Sequence, residues 1–78
     1  MFSTNIRLST IENVKDFVSA INEYDFYVDL VQGKYCINGK SIMGIFSLDL
    51  SKPLALNAEV PEESLADFSQ TIRAFLAE

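Results

Sequence analysis

The sequence predicts an α+β, two-layer open-faced sandwich: a four-stranded antiparallel sheet covered on one face by three helices, in the order β-α-β-β-α-β-α. Three observations predict it. Segments in which apolar and polar residues alternate recur four times. Stretches with an apolar stripe at helical spacing alternate with them, two of them opened by capping residues. A turn at Gln32-Gly33 joins the middle two strand segments into a hairpin.

Asn5–Leu8 is the first alternating segment. Ser9-Thr10-Ile11-Glu12 matches a capping box, with Ser9 as N-cap and Glu12 reaching back to it. Ile11, Val14, Phe17, Val18 and Ile21 follow on one helical face, which predicts a helix from Ile11 to Glu23. Phe26, Val28 and Leu30 then alternate with Tyr27, Asp29 and Val31 as a half-buried strand. Lys34–Asn38 returns after the turn with Tyr35 and Ile37 on one face and Cys36, mid-strand, read as a buried structural thiol. Ser41 stands where an N-cap belongs, before a short helix carrying Ile42, Met43, Ile45, Phe46 and Leu48. Lys52-Pro53 ends that connection, because proline disfavours helix in the residue before it. Leu54–Val60 alternates as the last strand. Pro61-Glu62-Glu63 opens the final helix, with proline at its first position and acids at its positive end. Leu65, Phe68, Ile72, Phe75 and Leu76 give its buried face.

With 78 residues the chain reads as a single domain, residues 1–78, expected to bury roughly 60–65% of its unfolded surface. Six Lys and Arg against eleven Asp and Glu, a net charge of −5, leave no cationic excess to displace counterions from phosphates, so no nucleic acid is expected. One cysteine forms no internal disulfide. No histidine is present, which removes the imidazole as base, as metal ligand and as phosphoryl acceptor. The opening residues lack a basic cluster followed by a long apolar core, and no apolar run reaches the ~18 residues a membrane span needs. A cytoplasmic protein without a membrane role is expected.

The familiar chemistries fail residue by residue. A phosphate loop ending in Gly39-Lys40-Ser41 needs a glycine at position 34, where Lys34 stands. Ser41 and Cys36 have no imidazole to take their protons. The acid pairs Glu12/Asp16, Asp25/Asp29 and Glu62/Glu63 read as solvated charge, and no Asp-rich loop gathers oxygens for a hard cation. No metal, no cofactor and no enzymatic activity are expected. What remains is the short second helix. Ile42, Ile45 and Leu48 share one face, leaving Met43 and Phe46 on another, either packed under a loop or exposed as an adaptable contact surface.

The string Asn38-Gly39-Lys40-Ser41-Ile42-Met43-Gly44-Ile45-Phe46-Ser47-Leu48 resembles the central-helix signature of the HPr family, the phosphocarriers of the bacterial phosphoenolpyruvate-dependent sugar phosphotransferase system. Phe17-Val18 through Tyr24-Asp25 is similar to that family's first helix and its exit into the second strand, and Glu62-Glu63 to the start of its last helix. The similarity runs from about Asp16 to Leu76. It implies an HPr-like fold, protein partners among phosphotransferase-system components, an HPr serine kinase or a transcriptional regulator, and a partner-binding surface at Lys40, Ile42, Met43 and Phe46. Ser41 matches the serine that an ATP-dependent kinase phosphorylates in many Gram-positive members, and is otherwise simply an N-cap.

The departures lie at the family's carrier site. The phosphorylated histidine, in a Gly-(Leu/Ile)-His-Ala-Arg-Pro motif, falls in register near Thr10, and the motif's arginine near Glu12, after a shorter loop. A carboxylate in place of a guanidinium repels a phosphoryl group. The resemblance thus implies a degenerate carrier and a regulatory, protein-binding module of the phosphotransferase system. Two other readings stay open: a carrier relaying phosphate through Thr10, Ser41 or a carboxylate, and a structural remnant that dimerises through the second helix. The oligomeric state stays open as well.

Overall fold

A computed structural model describes residues 2–76. Four strands, β1 (Phe2–Ile6), β2 (Val28–Gln32), β3 (Tyr35–Asn38) and β4 (Leu54–Ala58), form one antiparallel sheet in the order β1-β4-β2-β3. The helices α1 (Ile11–Ile21), α2 (Ile42–Phe46) and α3 (Leu65–Ile72) cover one face of it. The predicted element order and fold class are those observed. β4 and β2 are the central strands, and their alternation is read directly in burial. Leu54, Leu56, Ala58, Val28 and Leu30 all enter the core with Ile6, while the residues between them face away.

Val14, Phe17 and Ile21 from α1, Ile45 from α2, and Phe68 and Ile72 from α3 close over those strand residues. Phe68 is the hub of an aromatic group, meeting Phe2, Tyr24 and Phe26 at ring-centroid distances of 5.4, 5.3 and 5.3 Å. The three contacts are edge-to-face, the arrangement that the charge distribution of aromatic rings favours. Phe17 meets Phe75 in the same way at 5.4 Å.

Several boundaries differ from the sequence reading, each for a tertiary reason. β1 occupies Phe2–Ile6 rather than Asn5–Leu8, because its partner β4 offers a register from Ala58 to Leu54 only. The chain then turns off the sheet, with Arg7 N donating to Phe75 O at 2.8 Å. α1 is capped by Thr10, whose Oγ1 accepts from Asn13 N at 3.0 Å, and not by Ser9. The Ser9 hydroxyl instead meets the Asn13 side chain at 3.1 Å, so no Ser9–Glu12 capping box forms. α1 ends at Ile21 rather than Glu23. The Glu23 and Tyr24 N–H groups there bond carbonyls three residues back, tightening the exit.

The strand from Phe26 begins to pair at Val28 and runs on to Gln32, and β4 stops two residues short of Val60. The hairpin turn is Gly33-Lys34, closed by the Gln32–Tyr35 pair. Gly33 has φ +60° and among the described residues no non-glycine residue, Lys34 included, has positive φ, the signature of a type II′ turn with glycine first. Pro61 sits one residue before a short 3₁₀ turn, Glu62–Ser64, that leads into α3. A second 3₁₀ turn, Arg73–Phe75, follows α3. Of the face expected for the last helix, Phe68, Ile72 and Phe75 are buried, but Leu65 and Leu76 remain exposed at its two ends. Cys36, expected to be buried, is exposed because β3 is an edge strand and the helices leave its outer side uncovered.

Candidate functional site

The second helix has little intrinsic stability at five residues, since a helix of that length barely completes a turn. Tertiary contacts and its cap hold it. The Ser41 side chain accepts from Gly44 N at 3.2 Å, as the sequence predicts for an N-cap. Ile45 is fully buried, Leu48 nearly so, and Ile42 packs against the core from a half-buried position. A Cβ at Gly44 would sit in ordinary contact with Ile37 Cδ1 of β3 at 3.4 Å and crowd the Ser41 cap oxygen at 3.3 Å. With its inner face spent on the core, the helix turns Met43 and Phe46 outward, 77% and 40% exposed. Of the two arrangements left open by the sequence, the exposed one is observed.

Both ends of the α2 segment are tethered to the rest of the fold. At the start, Lys40 Nζ donates to Tyr24 O just beyond α1, and Lys40 N to Asn38 Oδ1 at 2.9 Å. Beyond the end, Gln32 and Asp49 exchange two bonds, Gln32 Nε2 to Asp49 O at 2.7 Å and Asp49 N to Gln32 Oε1 at 2.8 Å. Arg7 Nη2 reaches Ser51 O at 2.8 Å. The start of α2 thus lies by the end of α1, and the segment after α2 by the approach to α1, so the two helices run in opposite directions. Asp49 is held below its ordinary carboxylate range by the Ser51 hydroxyl first and then by the Ser51 amide.

Thr10 and Glu12 are both exposed at the start of α1. The Thr10 hydroxyl oxygen is occupied as the cap acceptor, and Glu12 sits in the first turn, where a carboxylate suits the helix dipole. Between them stands Ile11, 64% exposed, which the periodicity had placed in the core stripe. A helical side chain covers the surface N-terminal to its own Cα, and below Ile11 there is no further turn to cover. Ile11 is therefore an apolar surface residue at the end of the molecule toward which α2 runs. Its place at the first helical position was the signal available in the sequence.

Lys40, expected as a partner contact, spends its ammonium inside the fold. It completes a knot around Tyr24, whose hydroxyl donates to Asp67 Oδ2 at 2.6 Å and shares a bond with Thr71 Oγ1 at 2.8 Å. Tyr24 so joins the exit of α1 to α3 and, through its carbonyl, to the start of α2. Burial chiefly, and then the Asp67 carboxylate it bonds, raise its phenol above the ordinary value of 10.0. A group raised in the folded state stabilises fully below its unfolded value and loses that contribution as pH climbs through the folded one. Tyr24→Phe is expected to cost about 1–2 kcal/mol at neutral pH through the lost bonds. It is also expected to flatten the decline of the melting temperature as pH rises above about 10, when melts of the two chains are compared.

Among the described residues no group of three or more His, Cys, Asp or Glu gathers as for a metal ion, and no helix is long and apolar enough to cross a membrane. No protein-family model matches the chain, and no curated protein matches its sequence. Solved structures do share its fold. HPr-C-His from Thermoanaerobacter tengcongensis aligns over 95% of this chain and 93% of its own, with a TM-score of 0.74 and 24% identity. The phosphocarrier protein HPr from Bacillus anthracis str. Ames aligns over 97% and 96%, with a TM-score of 0.71 and 18% identity. The chain has the HPr fold, as the resemblance around Gly39–Leu48 implied.

Proposed function

We propose that this chain is an HPr-like protein-binding module that has kept the docking helix of the fold and does not carry phosphate at its first helix. The observation that carries the reading is the outward pair Met43 and Phe46 on a helix whose inner face and both flanks are otherwise fully engaged. A short helix kept rigid while presenting a methionine and a phenylalanine to solvent suits an adaptable protein contact. Ile42 borders the pair, and Ile11 is a further exposed apolar residue at the start of α1. At the α1 end the chain offers Thr10 and Glu12 in place of imidazole and guanidinium, so a phosphoryl group meets a cap hydroxyl and a repelling carboxylate. The partners fitting this reading are phosphotransferase-system components, an HPr serine kinase or a transcriptional regulator. The chain acts as one unit in the cytoplasm, without cofactor or enzymatic activity.

Ser41 is the proposed switch. Its hydroxyl oxygen has one partner, Gly44 N, and it stands beside the exposed Met43 on the sequence that resembles the kinase target. A phosphate of about −1.5 to −2 charge at that point changes which partner surfaces the apolar pair can meet. Incubation with ATP and an HPr serine kinase, followed by peptide mapping, is expected to place one phosphate on Ser41. Ser41→Ala is expected to abolish the incorporation while costing only ~1 kcal/mol as a lost cap. Incubation with phosphoenolpyruvate and the general phosphotransferase enzyme is expected to leave the mass unchanged. A phosphoryl adduct on Thr10 or Glu12 in that second reaction overturns the non-carrier reading.

A further inference from the structure

The sheet face turned away from the helices is uncovered, and four of its side chains frame a cavity of about 130 Å³ near one end. Asp29 and Asn57 are cross-strand partners of β2 and β4, and Glu59 N donates to Tyr27 O at 3.2 Å as the ladder's next step. Tyr27, Asp29, Asn57 and Glu59, each alternate to the core residues Val28 and Ala58, therefore stand on the same open side. Asn57 is held in place by Ser3, whose hydroxyl donates to Asn57 Oδ1 at 2.7 Å. Tyr27 is 76% exposed. Asp29 and Glu59 occupy a diagonal of this square, where neighbours lie roughly 7–8 Å apart and their β carbons somewhat closer.

Among the described residues no side-chain cation is paired with these carboxylates. Arg7, Lys40 and Lys52 are engaged elsewhere, with Ser51, Tyr24 and Asp49.

We propose that this corner of the open sheet face receives the arginine side chain of a partner protein. A guanidinium carries N–H groups on several edges of one plane, so a single group can donate to both carboxylates across the diagonal. Its flat face can lie against the Tyr27 ring, which an ammonium uses less well. The surface is on the opposite side of the sheet from α2, so it stands or falls independently of the docking helix.

The test is a titration of the isotope-labelled chain with Nα-acetyl-L-arginine amide, followed by NMR. Saturable shifts are expected at Tyr27, Asp29, Asn57 and Glu59. Tyr27→Ala, and the pair Asp29→Asn with Glu59→Gln, are each expected to weaken binding by about tenfold. Glu62→Gln with Glu63→Gln, neighbouring acids outside the cavity, is expected to leave it unchanged. Shifts that never saturate and spread over all the acidic residues overturn the proposal. So does an equal response to Nα-acetyl-L-lysine amide, or movement of the same four signals when the chain alone is concentrated, which would assign the face to a second copy.

Discussion

Replacement of Phe68 by alanine is expected to cost about 3–5 kcal/mol, a large part of the stability of a chain this small. Phe68 is fully buried and is the one ring that touches Phe2 of β1, Tyr24 after α1 and Phe26 before β2 at once. Its removal takes away the side chain's transfer energy and three edge-to-face contacts, and it opens a cavity between α3 and the sheet. A chain of this length is stable by on the order of 4–12 kcal/mol, so the loss is comparable with the whole. Urea unfolding followed by circular dichroism checks it: the midpoint is expected to fall sharply with an unchanged slope. A midpoint within experimental error of the parent chain contradicts the packing described here.

Met43→Asp together with Phe46→Asp is expected to weaken docking to an HPr serine kinase or a phosphotransferase-system partner by about a hundredfold or more. Apolar side chains at the centre of an interface carry most of its energy, and a carboxylate there must be desolvated without a partner. The same pair of substitutions is expected to leave the fold intact, because both residues are exposed and neither belongs to the buried cluster. The contrast with Phe68→Ala is the useful part. A melting temperature close to that of the parent chain, combined with lost binding in a titration, separates a docking surface from a structural one. Undiminished binding removes α2 as the docking element.

How much of this could be read from residues alone depended on how local the cause was. The Ser41 cap was legible, because the side chain that caps and the amide it bonds are three residues apart. The separation of Ile45 and Met43 onto different faces of α2 was legible for the same reason, whereas the exposure of the Met43 face was settled only by what the fold leaves uncovered. The cap of α1 was not. Ser9 and Thr10 are equally good caps by chemistry, and the choice follows from where Arg7 N meets Phe75 O and where Leu8 enters the core. Lys40 had every appearance of a surface cation until the exit of α1 brought the Tyr24 carbonyl to it. Its contact spans sixteen residues, beyond any local pattern.

The order of strands and helices, the central residues each turns inward and the absence of histidine were all decided at the level of sequence, since alternation, helical spacing and residue identity are properties of neighbouring positions. Zero histidines mean the same thing folded or unfolded. The tertiary structure decided exposure at the margins and company at a distance. β3 became an edge, which put Cys36 in solvent. The first turn of α1 stayed uncovered, which made Ile11 part of the surface. The pairing of β2 with β4 set Tyr27, Asp29, Asn57 and Glu59 around one cavity. Alternation assigns a side chain to one of two faces. Which face is covered, and where the sheet ends, depends on how distant segments meet.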